Sequence, residues 1–203
     1  MSLYALKPTF QLFLQPHVGR LARAGVTANQ VTLAAAIGSL AVGAFVAAMA
    51  PARWPFLLIP VWLFIRMALN AIDGMLARNY GQASPLGAYL NELADVASDA
   101  ALYAPFALIP AFGLAWIGLV VVLAAMTELA GVLGPTVGAS RRYDGPMGKS
   151  DRALVFGALG LWAGFGGPLP PWTVVLIVIL CGLLAFTIVN RVRAGLKEAR
   201  RAS

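Results

Sequence analysis

Charge is what this sequence has least of. Only 11% of its 203 residues are Asp, Glu, Lys or Arg, against 60% apolar, whereas a soluble globular domain carries roughly 25% charged residues. That excludes an ordinary water-soluble fold. There is one cysteine, Cys181, so no intrachain disulfide can form, and its apolar surroundings assign it to packing rather than to a reactive thiol. The one histidine, His17, is isolated and reads as structural. No internal repeat or low-complexity tract is present, which argues against a transporter built of repeated halves. No segment reads as an extra soluble domain. The run Gly148-Lys149-Ser150 lacks the upstream glycine spacing and the strand context of a phosphate-binding P-loop.

What fills the sequence instead is apolar runs of about 20 residues, long enough to cross a bilayer as helices. Six are expected, at about 31–50, 54–76, 86–112, 114–135, 152–166 and 172–191. The predicted fold class is all-α: one polytopic membrane domain over 1–203, with a six-helix bundle at 31–191 and a basic tail at 192–203. Residues 1–24 do not read as a secretory signal, because Lys7, Gln11, Gln15, His17, Arg20 and Arg23 interrupt them. Leu6, Phe10, Phe13 and Leu14 predict an amphipathic helix along the interface, broken near Pro16 and Gly19. Thr27-Ala-Asn-Gln30 is a capping box opening the first span. Pro105 and Pro110 are expected to bend the third helix. Trp54, Trp116 and Trp172 fall near the outer ends of spans, where aromatic anchors belong.

The basic residues are distributed unequally. With both termini inside, the inner side holds Lys7, Arg20, Arg23, Arg78, Arg141, Arg142, Lys149, Arg152, Arg191, Arg193, Lys197, Arg200 and Arg201. That is 13 of 15, with Arg53 outside and Arg66 within a span. This asymmetry is the positive-inside pattern. It predicts cytoplasmic termini in a plasma or bacterial inner membrane, and it makes anionic membrane lipids the natural partner of the net charge of +7. Nucleic acid is not an expected partner, since the cations are dispersed among apolar spans.

Polar residues within the spans are few and patterned. Asn70 and Asp73 share one helix face, with Arg66 on the same stripe; Asn91, Asp95 and Asp99 share a face of the next helix. Ionisable groups at membrane depth are costly and mark function. Two oxygen-rich faces brought together predict a hard-cation site, for Mg²⁺. Glu92 and Asp99 lie within about 100° of Asn91 around the helix and can restore charge; Glu92 can equally pair with Arg66 or another cation. Glu128, in the fourth span, either pairs with Arg66 or lines the site. The other reading of Asp73 and Asp95 is an intramembrane ion-pair or hydrogen-bond network with Arg66.

The stretch Asn70-Ala-Ile-Asp73-Gly74-Met-Leu-Ala77-Arg78, followed by Gly87-Ala-Tyr-Leu-Asn91-Glu-Leu-Ala-Asp95, resembles the signature of the CDP-alcohol phosphatidyltransferase family, D-x-x-D-G-x-x-A-R then G-x-x-x-D-x-x-x-D. Asp73, Gly74, Ala77, Arg78, Gly87 and Asp95 match. Asn70 and Asn91 stand where the family has its first and third aspartates, and two lost negative charges weaken a metal site. Thr27, Asn29 and Thr32 match a shorter family pattern, Thr-x-Asn-x-x-Thr.

The resemblance implies a homodimeric phospholipid-synthesising transferase with a cytoplasmic site. It would move a phosphatidyl group from a CDP-linked lipid, CDP-diacylglycerol, to a small alcohol and release CMP with Mg²⁺ or Mn²⁺. Asp73 would ligate metal, with Asp95 a ligand or the general base and Asn70 and Asn91 offering amide oxygens. Gly74, Ala77, Arg78 and Gly87 would line the cytidine-diphosphate site. Arg141, Arg142, Lys149 and Arg152, in the loop that Ser150 or Asp151 is expected to end by capping the next helix, would hold a phosphate on the acceptor. Arg66, Glu92, Asp99 and Glu128 are auxiliary candidates. The alternative is a catalytically impaired member that binds lipid or nucleotide as a membrane partner.

Overall fold

The computed structural model describes residues 7–50 and 52–202, with side chains for 10–50 and 52–201. The first six residues of the expected 1–24 segment, Leu6 included, lie outside that range. Among the described residues there is no strand. Seven α-helices follow one another: α1 Lys7–Arg23, α2 Ala28–Ala48, α3 Leu58–Asn79, α4 Pro85–Tyr103, α5 Leu114–Val132, α6 Lys149–Gly164 and α7 Thr173–Ala202.

Local chemistry explains most of the boundaries. Thr27 caps α2: its Oγ1 accepts from the Gln30 N–H, and Gln30 Oε1 accepts from the Thr27 N–H. Ser84 caps α4 by accepting from Gly87 N–H, with Pro85 at the first helical position. α6 starts differently from expectation. Gly148 is its N-cap, and Asp151 reaches back to accept from the Gly148 N–H. Neither Ser150 nor Asp151 is the cap; Asp151 stands at the third helical position, and its carboxylate satisfies the N–H of the cap residue itself.

Two further expectations are corrected. α1 runs unbroken through Pro16. A proline forfeits one helical hydrogen bond, and the burial of Leu14 and Val18 beside Met75 and Leu76 of α3 offsets that loss. Pro105 and Pro110 do not merely bend the third span. α4 ends at Tyr103, and the chain continues as one-turn 3₁₀ helices at Ala104–Leu108 and Pro110–Phe112.

Four segments are long and apolar enough to cross a membrane: Ala28–Ala48, Trp54–Asn79, Leu114–Val132 and Thr173–Arg201. The protein is therefore an integral membrane protein. α4 and α6 occupy the other two expected spans. α4 carries Glu92, Asp95 and Asp99, and α6 has only 16 residues.

The larger apolar core joins α2 to α7 around Phe56, Tyr103, Phe106, Phe112 and Phe156. Tyr103 stacks on Phe156 at 3.8 Å between ring centroids. A smaller cluster seats α1 on α2 and α3. α2 meets α4 backbone to backbone at Gly43, where a Cβ would lie 2.1 Å from the Ala101 carbonyl oxygen. Gly43→Val is expected to force the helices apart and cost about 1–3 kcal/mol, read as a lower thermal midpoint in detergent. Gly118→Ala, where a Cβ meets nothing within 4 Å, is the control that should leave the midpoint unchanged.

Candidate active site

α3 and α4 are joined by the short turn 80–84 and both pack on α2, and a long side chain of α3 reaches the oxygen-bearing stripe of α4. That side chain is Arg66. Its Nη1 donates to Asp99 Oδ1 at 2.5 Å, and its Nη2 donates to the Asp95 carbonyl at 3.0 Å and to Asp95 Oδ1 at 3.2 Å. Arg66 thus pairs with both carboxylates. It touches neither Glu92 nor Glu128.

Glu92 pairs with Arg141, whose Nη2 lies 2.9 Å from Oε2. Arg141 also stacks over the Tyr143 ring at 5.0 Å. Asn91 Nδ2 lies 3.5 Å from Glu92 Oε1. Asp99 is buried between Arg66 and Arg152.

Arg152 is 0% exposed, the largest fully buried side chain among the described residues. Its Nη2 donates to Asp99 Oδ2 and to Glu128 Oε1, both at 2.8 Å; its Nη1 donates to Thr127 Oγ1 at 2.9 Å. Glu128 lies 3.5 Å from Arg191 Nη1, which also donates to the Thr127 carbonyl. Lys149, the first residue of α6, donates from Nζ to Asp95 Oδ1. The result is an alternating chain of charge: Lys149, Asp95, Arg66, Asp99, Arg152, Glu128, Arg191. It threads α6, α4, α3, α5 and α7. A buried charge is tolerated only when paired and hydrogen-bonded, and here every member is.

Asp73 stands slightly apart, buried, with Oδ2 accepting from Thr32 Oγ1 at 2.8 Å. It lies within electrostatic range of Lys149 and Asp95. The signature's glycines sit beneath polar groups. A Cβ at Gly74 would lie 3.1 Å from both terminal nitrogens of Arg78, and one at Gly87 would lie 2.8 Å from Asn29 Oδ1. Ala77 is half-buried on the same helix, and Arg78 is exposed at its end. The 3–4 turn is tied back to the start of α2 by Gln82, which accepts from Ala28 N–H at 2.7 Å.

The loop after α5 leans on α7. Met147 N–H donates to Thr187 Oγ1 at 3.0 Å. Arg142 bonds Asp144 and Glu198 rather than the α3–α4 carboxylates. The hydrogen bond from Arg142 holds the Asp144 carboxyl below the usual carboxylate range. Of the four expected acceptor cations, Lys149 and Arg141 reach the α3–α4 site with side chains 31% exposed, Arg142 faces α7, and Arg152 is committed to the interior. Thr127 and Arg191 carried no sequence signal beyond a threonine beside Glu128 and one more inner cation.

Thr32 engages one Asp73 oxygen, and Arg66 and Lys149 both engage Asp95 Oδ1. The second oxygen of each carboxylate takes no side-chain donor. With the amide oxygens of Asn70 and Asn91 these suit one hard cation. Among the described residues no three carboxylate, histidine or cysteine ligands converge, so such a site would draw on the amide oxygens.

A model of the CDP-alcohol phosphatidyltransferase family matches residues 25–179. The inner membrane protein YnbA of Escherichia coli (strain K12) is 45% identical over 196 residues, which is 97% of each chain. Two structures of Mycobacterium tuberculosis PgsA1, a phosphatidylinositol phosphate synthase, share the fold. The one in complex with manganese and citrate has a TM-score of 0.72 at 19% identity, covering 89% of this chain and 88% of that one. The one with CDP-DAG bound has a TM-score of 0.66 at 20% identity, covering 91% and 92%.

Proposed function

The chain belongs to the CDP-alcohol phosphatidyltransferase family, and from that premise we propose that it transfers the phosphatidyl group of CDP-diacylglycerol to a small alcohol and releases CMP. The observation that carries this reading is the placement of Asp73 and Asp95 on successive helices with Gly74, Arg78 and Gly87 on the same two helices. A fold shared with a protein that has been solved with CDP-DAG bound supports the donor.

In this reading the alcohol oxygen attacks the phosphatidyl phosphorus, the bond to CMP breaks, and the hydroxyl proton passes to Asp95. Asp73, Asp95, Asn70 and Asn91 would hold one Mg²⁺ or Mn²⁺, which when bound offsets the charge developing on the pyrophosphate. Ala77, with Gly74 and Gly87, leaves room for the nucleotide. Arg78 faces its phosphates, and Arg66 keeps Asp95 oriented. Lys149 and Arg141 are the cations placed to meet a phosphorylated acceptor; Arg142 and Arg152 brace the loop that carries them.

The basic asymmetry supports six spans, cytoplasmic termini and a site open to the cytoplasmic face of a bacterial inner membrane, with α1 along the interface. Arg193, Lys197, Arg200 and Arg201 line a groove at the end of α7 suited to anionic lipid headgroups. Assembly as a homodimer belongs to the same reading.

The two amides and the Lys149–Asp95 pair favour a second reading, a member that binds CDP-lipid without turning it over. One assay separates the two. The purified protein is given CDP-diacylglycerol, Mg²⁺ or Mn²⁺ and a panel of alcohols, and free CMP is measured. Release with at least one alcohol is expected. No release with any alcohol, with nucleotide still bound, selects the second reading, and CMP release gained on Asn70→Asp with Asn91→Asp would locate the defect in the amides.

A further inference from the structure

We propose that Lys149 is a resident cation of the site, competing with the divalent ion for Asp95 and released from it when the ion binds. This deepens the donor-site reading of Asp73 and Asp95 and rests on it.

Three observations converge. First, Lys149 Nζ sits on Asp95 Oδ1, the oxygen that Arg66 also engages. Second, the two cations differ in their freedom to leave. The Arg66 side chain is 4% exposed and tied to Asp99 as well, whereas the Lys149 side chain is 31% exposed and, among the described residues, has Asp95 as its one ion-pair partner. It extends from the first residue of α6, at the end of a loop, on a flexible four-carbon stem. Third, the cluster is already neutral. Asp73, Asp95, Asp99, Glu92 and Glu128 supply five negative charges, and Arg66, Arg141, Lys149, Arg152 and Arg191 supply five positive ones.

With asparagine at 70 and 91, nothing remains to balance two further positive charges. An ion entering between Asp73 and Asp95 therefore meets the Lys149 ammonium at close range. Lys149 is the only one of the cations on Asp95 able to move out. Ion binding and the Lys149–Asp95 pair exclude one another, and the coupling is reciprocal. The displaced ammonium is then free for an anionic group entering the site after the ion.

The test is a Mn²⁺ titration of the full chain in detergent, with free Mn²⁺ followed by its paramagnetic resonance signal. Lys149→Met is expected to bind Mn²⁺ roughly tenfold more tightly than wild type, and Lys149→Arg to stay near wild type. Equal or weaker affinity in Lys149→Met overturns the proposal. A second measurement uses the unaltered protein: acetylation of Lys149 by an amine reagent, read by peptide mass spectrometry, should rise several-fold when Mg²⁺ saturates. Labelling that does not change with Mg²⁺ also overturns it. Failure of the reaction assigned above looks different, namely no CMP release while Lys149→Met still tightens Mn²⁺ binding.

Discussion

Asp73→Ala and Asp95→Ala are each expected to abolish CMP release, by a factor on the order of a thousand or more, with the fold intact. The expectation of intact folding comes from what each substitution leaves behind. Removing the Asp73 carboxylate leaves Thr32 Oγ1 its other acceptor, the Ala28 carbonyl at 3.1 Å. Removing the Asp95 carboxylate leaves Arg66 bonded to Asp99 and to the Asp95 main-chain carbonyl, and Lys149 is exposed enough to be solvated. Neither substitution strands a buried charge, so neither should cost much stability. Loss of turnover would then reflect loss of donor and ion binding or of the proton acceptor. CMP release and the thermal midpoint should be measured on the same preparations. Turnover retained in both variants would remove these residues from the chemistry.

Arg152→Met should do the reverse, damaging the fold first. The substitution keeps bulk but leaves Asp99 and Glu128 each short of a buried partner, and Thr127 Oγ1 short of its Arg152 donor. Breaking a buried pair from one side costs about 3–5 kcal/mol, which for a chain of this size corresponds to a midpoint lowered by roughly 10 °C. Pairing it with Glu128→Gln should recover part of the loss, because one of the stranded charges goes. The comparison is Arg142→Ala, whose partners Asp144 and Glu198 are more than a third exposed; an exposed pair contributes about 0–1 kcal/mol. Equal effects of Arg152→Met and Arg142→Ala would show that the interior network contributes nothing special.

The two variants separate two kinds of polarity that look alike in the sequence. Asp95 and Asp99 are one helical turn apart, both in an apolar helix and both within reach of Arg66. Asp99 is closed in by Arg152 and is structural. Asp95 faces Lys149, which is half-exposed, and stays accessible. Glu128 lies between Arg152 and Arg191 with Arg141 3.9 Å away, whereas Glu92 opens on Arg141.

The all-α class, the capping box at Thr27 and the shared faces of Asn70 with Asp73 and of Asn91 with Asp95 were legible because each depends on residues within a turn or two of one another. The signature's spacing was legible for the same reason, and with it the family. Element ends near proline were not. Pro16 lies within a helix because Leu14 and Val18 of the same helix pack against α3, whereas Pro105 follows the end of one where the chain turns into 3₁₀ geometry. Thr32 was a weak pattern until its hydroxyl proved to be the donor to Asp73, 41 residues away in sequence.

The pairing of charges belongs wholly to the tertiary structure. Composition and period fixed that a few ionisable groups would be held among apolar helices, and that α3 and α4 would each carry a face of oxygen ligands. Which cation meets which carboxylate depends on how five helices stack, over separations of 24 residues for Arg152 with Glu128 and 53 for Arg152 with Asp99. No local pattern encodes such distances, since any of the inner cations has the same charge. The packing turned Arg152 inward to a structural role and left Lys149 on Asp95, at the mouth of the site.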